Sequence, residues 1–166
     1  MKRSLFLVPI LALALLAAAC GDASDDAAGV LSAAGDSTEE AFSFGEAADP
    51  ADATRTVDIV MTEFAFDPST IEVSDGEVVT FRLHNEGTVE HDFTIGDRET
   101  QDEHDAEMAE MAPGEEHMAD PNAVSVEPGE TREITWRFEN VEGGIQFGCH
   151  VPGHYAAGMV GQFEQG

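Results

Sequence analysis

Residues 147–161 read FGCHVPGHYAAGMVG, and this stretch decides how the rest of the chain is understood. It places Cys149, His154 and Met159 in series, each five residues from the last. A thiolate, an imidazole and a thioether are the soft donors of a mononuclear copper site, which a histidine from elsewhere would complete. The Pro152-Gly153 pair and Gly158 let a short loop turn back tightly, so that three donors can converge on one ion. The candidate for the missing donor is His91, in the segment HNEGTVEHDFTI at 84–95.

Outward from this loop the pattern is that of strands. Val57, Ile59 and Met61 alternate with polar neighbours, and Phe64 and Phe66 follow before Asp67-Pro68 breaks the run. Ile71 and Val73 precede a Ser-Asp-Gly turn at 74–76, after which Val79, Phe81 and Leu83 alternate with Thr80 and Arg82. Asn85-Glu86-Gly87 marks another turn, and Phe93 with Ile95 forms an inward face after His91. Val124 and Val126 come before the Pro128-Gly129 turn, and Ile134, Trp136 and Phe138 alternate beyond it. Ile145, Phe147 and Cys149 share one face of the next strand, and the VGQF run at 160–163 closes the pattern. Short strands with turns at this spacing predict an antiparallel β-sandwich of seven to eight strands around one core, with Trp136 inside it.

With four residues in each gap between Cys149, His154 and Met159, and with His91 in NEGTVEHDF, the sequence resembles the cupredoxins. These are the type I (blue) copper proteins of the plastocyanin, azurin and rusticyanin kind. The resemblance spans roughly Val57 to Glu164. It implies an all-β Greek-key sandwich holding one type I copper ion. It also implies that His91, Cys149 and His154 are the strong equatorial ligands and Met159 the weak axial one. The loop is similar to that of rusticyanin and of the type I site of multicopper oxidases, and its first gap is longer than plastocyanin's. Asp92 stands where plastocyanin and azurin usually have asparagine, and His84, seven residues before His91, is the competing first histidine.

Two departures argue against an enzyme. Multicopper oxidases flank the copper cysteine with histidines that feed a second copper centre; here His150 follows Cys149 but Gly148 precedes it, and no His-x-His pair occurs. A dinuclear centre of the cytochrome oxidase type needs two loop cysteines, and only Cys149 is present. The expectation is an electron carrier between redox partners outside the cytoplasmic membrane. His154 would be the exit for the electron, through an apolar patch of Val151, Pro152, Tyr155 and Ala156, and His150 would face solvent beside the site.

The segment 99–120 reads as an acidic insertion between strands that contains His104, Met108, Met111, His117 and Met118. If 101–112 is helical, His104, Met108 and Met111 share a face. Methionine and histidine together suit Cu(I), which raises the alternative of a copper acquisition, storage or delivery protein. The plainer reading is an exposed acidic excursion.

Charge narrows the partners. Thirty-four acidic residues against seven basic ones give a formal net charge of -27, which excludes nucleic acid as an expected partner. An acidic surface favours cationic partners instead, such as a cytochrome or oxidase with a basic docking face. A monomer is expected.

The N-terminus reads as an export signal over residues 1–19, with Lys2 and Arg3 ahead of an apolar core from Leu5 to Leu16. Small residues 17–19 directly before Cys20 resemble a bacterial lipoprotein signal, with Ala17 at the usual leucine position. Lipidation of Cys20 would anchor the protein to the outer face of the cell membrane. Residues 20–54 read as a disordered acidic tether, in which Phe42 and Phe44 are expected to be exposed, and 55–166 as the folded domain. Cys149 is then the unpaired cysteine of an exported chain, which metal ligation explains.

Overall fold

A computed structural model describes residues 42–110 and 120–166. The expected signal, Cys20 and most of the tether lie outside the described residues, as do Met111, His117 and Met118. In chain order the strands are β1 (Gly45–Ala47), β2 (Arg55–Thr62), β3 (Ala65–Asp67), β4 (Thr70–Val73), β5 (Val78–Asn85) and β6 (His91–Gly96). Helix α1 (Arg98–Glu110) follows, and then β7 (Ala123–Val126), β8 (Thr131–Phe138), β9 (Gln146–Gly148) and β10 (Val160–Gln165). Among the described residues there are thus ten strands rather than seven or eight, because β1, β3 and β9 are three residues each. Period-two patterning does not register strands that short.

Two five-stranded sheets face each other, ordered β1-β8-β5-β2-β3 and β4-β10-β9-β6-β7. The sandwich is mixed rather than wholly antiparallel. β2 runs parallel to β5, with Arg55 opposite Val79, and β10 runs parallel to β4, with Gln162 opposite Thr70. Alternation along a strand is the same whichever way its neighbour runs, so the sequence pattern does not carry strand direction.

The alternating apolar residues point between the sheets as the pattern requires. Ile59, Phe81, Leu83, Phe93, Ile95, Trp136, Phe138 and Phe147 are wholly buried there. Phe147 joins the aromatic part of the core, its ring 5.1 Å from Phe93 and 4.9 Å from Phe163. Each such side chain contributes roughly 1.5–3 kcal/mol through burial. Gly161 on β10 is a packing requirement: a Cβ there would lie 2.1 Å from Cζ of Phe147.

The folded part begins earlier than the sequence suggests. Phe44 is buried, its ring 4.9 Å from Phe42 and 5.7 Å from Trp136, and the Trp136 indole N–H donates to the Phe44 carbonyl at 3.4 Å. β1 then pairs with β8, Ala47 opposite Trp136. The expectation of exposed tether aromatics is therefore corrected: they cap one edge of the core.

Helix α1 is the helical part of the insertion. Asp97 caps it, its carboxylate accepting the Thr100 backbone N–H at 3.0 Å. The helix lies over β6 and β9, where Gly96 and Gly148 leave room: a Cβ at Gly148 would meet Gln101 Oε1 at 2.6 Å. Among the described residues no helix is long and apolar enough to cross a membrane.

Candidate metal centre

β6 and β9 are antiparallel neighbours with Thr94 opposite Gly148, so His91 at the start of one and Cys149 just past the other come to the same pole. The loop from 150 to 159 returns to that pole by a series of tight turns. His154 N–H donates to Val151 O at 2.9 Å, Met159 N–H to His154 O at 3.0 Å, and Cys149 N–H to Met159 O at 3.1 Å. Gly153 and Gly158 take φ of 90° and 95°, the left-handed region that glycine enters without steric cost.

The result is a compact donor set. Nδ1 of His154 lies 3.4 Å from the Cys149 sulfur and Nδ1 of His91 3.7 Å from it. All three residues are buried, and their donor atoms lie within 4.8 Å of one another. Met159, also wholly buried, is bracketed by its backbone bonds to His154 and Cys149. The structure therefore brings His91, Cys149 and His154 together. His84, the rival first histidine, sits elsewhere on β5, with its ring bonded to Asp58 at 3.1 Å and Thr131 at 3.0 Å.

Electrostatics favour metal over proton at the imidazoles. Burial lowers the pKa of both His91 and His154, and for His91 the neighbouring His154 adds to the effect, so both rings keep a free lone pair. Burial, with the charge of Asp92 behind it, pushes the Cys149 thiol up to about 12. Without a cation the sulfur stays protonated, so metal binding expels its proton. His91 Nε2 is buried with no hydrogen-bond partner among the described residues and faces Glu63 Oε1 at 3.9 Å. A soft, buried N, N, S donor set, with the buried Met159 tied to it through its backbone, fits copper.

Two carboxylates that the sequence did not single out as builders of the site hold this geometry. Glu63, in the turn between β2 and β3, accepts the backbone N–H groups of Thr88 and, at 3.2 Å, Val89. Those bonds, the Thr88 N–H first, hold its pKa down at about 2 and fasten the segment leading into His91. Asp92 fills the usual asparagine position. Burial pushes its pKa up to about 7, against the opposing hydrogen bond from the His150 backbone N–H at 2.8 Å. No local signal marks Glu63, which is 28 residues before His91 in the chain.

His150 departs from expectation. It does not face solvent: its side chain is fully buried under α1, stacked on Tyr155 with ring centroids 4.6 Å apart. Its Nε2 lies 2.7 Å from Gln101 Oε1, and burial, with His104 adding to it, pushes its pKa down to about 4. In the insertion, His104 is buried on α1 and Met108 is half-buried on the same helix.

Comparison with known proteins agrees with the geometry. Residues 53–164 match the copper-binding proteins of the plastocyanin/azurin family. The chain belongs to that family. It is 38% identical to the copper-resistant cuproprotein CopI of Pseudomonas aeruginosa, over 72% of this chain and 80% of that one. It is 44% identical to the CopI of Rubrivivax gelatinosus, over 72% of this chain and 71% of the relative. The dithionite-reduced auracyanin of the photosynthetic bacterium Roseiflexus castenholzii shares the fold with a TM-score of 0.57 and 26% identity, over 69% of this chain and 98% of that one. The cofactor of this plastocyanin/azurin-type chain is copper, and the site is built for one type I ion.

Proposed function

We propose that this family member is a one-electron carrier working outside the cytoplasmic membrane, with His91, Cys149 and His154 as equatorial ligands and Met159 as the axial one. The observation that carries the reading is the mutual approach of three buried donors on a rigid sandwich, with Sγ–Nδ1 distances of 3.4 and 3.7 Å. Bound copper supplies the one-electron couple, and a scaffold that fixes the donors in advance limits the rearrangement between oxidation states. The chain does the rest by holding donors, excluding water and offering an edge for electron exit.

That edge is the His154 ring. It makes an edge-to-face contact with Phe64, centroids 4.9 Å apart, and Phe64 is 49% exposed. Phe64 and Val89 are the exposed large hydrophobic residues among those described, and the Glu63 bonds bring Val89's backbone beside the Phe64 segment. With exposed Pro152 and Ala156 they offer an apolar landing area for a redox partner, and the acidic surface around it favours a partner with a basic rim. Export, lipidation of Cys20 and a monomeric state complete the proposal.

An absorption spectrum of the oxidised, copper-loaded protein, with a metal count on the same sample, tests it. An intense visible thiolate-to-copper band with one copper per chain supports the carrier. A protein without that band is not a type I carrier.

A second reading is favoured by the two relatives named for copper resistance: the chain serves copper tolerance by holding or passing on the ion. Exchange separates the two. A carrier keeps its copper against a competing chelator, whereas a delivery protein releases it.

A further inference from the structure

We propose that Glu63 is a positioning residue for the copper site: its carboxylate is the charge partner of the His91 ring on the side away from the metal, and it biases the site toward Cu(II). The role rests on the reading of His91 as a ligand and goes beyond it.

The two ring nitrogens of His91 have different surroundings. Nδ1 lies 3.7 Å from the Cys149 sulfur, so it is the nitrogen that would meet the ion. A neutral ring that offers Nδ1 carries its hydrogen on Nε2. That nitrogen is buried and has no hydrogen-bond partner among the described residues. An N–H buried without an acceptor is costly. Glu63 Oε1 stands 3.9 Å from it, too far for a hydrogen bond and near enough for its charge to act on the ring.

Gly87 keeps this approach open. A Cβ on residue 87 would lie 2.7 Å from Glu63 Oε1 and 2.8 Å from His91 Nε2, in the space between them. Any larger residue there would have to move one of the two. The carboxylate is fixed by the chain rather than by the ring it faces: Oε1 also accepts from Thr88 Oγ1 at 3.1 Å and from the Val89 N–H at 3.2 Å.

The same turn reaches the second imidazole. The charge of Glu63 acts on His154 as well as on His91, and Phe64 packs edge-to-face on His154 with centroids 4.9 Å apart. An anion beside two copper-binding imidazoles raises their donor strength and favours the more highly charged ion. Glu63 therefore holds the reduction potential down.

Glu63→Gln separates this role from fastening the loop, because it keeps an oxygen that can accept from Thr88 and Val89 but removes the charge. Cu(II) and Cu(I) affinities of the full chain are measured by chelator competition, and the potential by spectroelectrochemistry. Urea unfolding of the copper-free proteins is the control. The expected result is unchanged unfolding, a loss of Cu(II) affinity of at least about 10-fold and a smaller loss for Cu(I). The potential rises with it, by about 59 mV for each tenfold change in the ratio of the two affinities. Gly87→Ala keeps both residues but puts a methyl group between them, and is expected to shift both readouts the same way. A ratio and a potential that match wild type in Glu63→Gln, or in Gly87→Ala if the former does not fold, overturn the proposal. The affinity comparison needs neither a visible band nor a redox partner. A wild-type protein without the band thus refutes the carrier reading, while the affinity ratio still decides the role of Glu63.

Discussion

The backbone N–H of Asp92 points at the sulfur of Cys149 from 3.5 Å, while the Asp92 carboxylate accepts the backbone N–H of the next residue, His150, at 2.8 and 2.9 Å. One residue thus ties the strand that carries the first histidine to both the sulfur and the loop that follows it. Asp92→Ala leaves the buried His150 N–H without this acceptor and is expected to cost about 1–3 kcal/mol. Asp92→Asn keeps an acceptor oxygen in place and is expected to cost clearly less. Urea unfolding of the copper-free variants measures both, and equal losses would show that the acceptor is not what matters.

The donors predict a division of labour at the copper. Cys149→Ser is expected to remove the intense visible band altogether, because that band needs the thiolate. Met159→Leu is expected to keep copper and colour but to raise the reduction potential, since a weak axial donor is lost. Spectroelectrochemistry reads both, and a Met159→Leu protein with an unchanged potential would place another group in the axial role.

Acid stability has an identifiable contributor in Glu77. Its burial raises the pKa, but this is outweighed by the Arg55 side chain at 2.8 Å, the Ser74 backbone N–H at 3.0 Å and the charge of Arg55, so the folded value lies below the ordinary 4.5. For a depressed carboxylate the stabilisation is fully present above the unfolded value and is lost as pH falls through the folded one. Glu77→Gln is expected to cost roughly 1 kcal/mol near neutral pH. Below pH 4.5 the difference from wild type shrinks. Thermal melts across that range follow it, and a gap that does not narrow would rule Glu77 out.

Removing the edge cap tests where folding begins. Phe44→Ala deletes a buried ring packed on Trp136 and is expected to cost about 3–5 kcal/mol, a core-sized loss. A cost near zero in denaturant titration would return Phe44 to the role of a passive linker residue.

How far the sequence could be read depended on how local each feature was. Cys149, His154 and Met159 occupy one short loop, so their residue types and spacing point to a metal site within a single stretch of sequence. His91 needed the likeness of its whole segment to known first-histidine segments, and the structure places it 3.7 Å from the sulfur. The alternating runs gave the sandwich, but β1, β3 and β9 were too short to show, and the parallel pairing of β2 with β5 leaves no trace in a period of two. The burial of Phe44 has no local signal, because its sequence neighbours are those of a solvated linker and the Trp136 face it covers is 92 residues away. The burial of His150 is equally non-local. Only the placement of α1 over Gly148 encloses it, and no local pattern states where an insertion docks.

The pairing of β10 sets a sequence of events in time. The strands flanking the ligand loop, β9 and β10, find partners in β6 and β4, elements laid down much earlier in the chain. Contacts of such long range form late and together, because the intervening chain must be ordered first. Affinity for copper is therefore expected to switch on abruptly as the closing strand docks, leaving partly folded chains with no foothold for the ion.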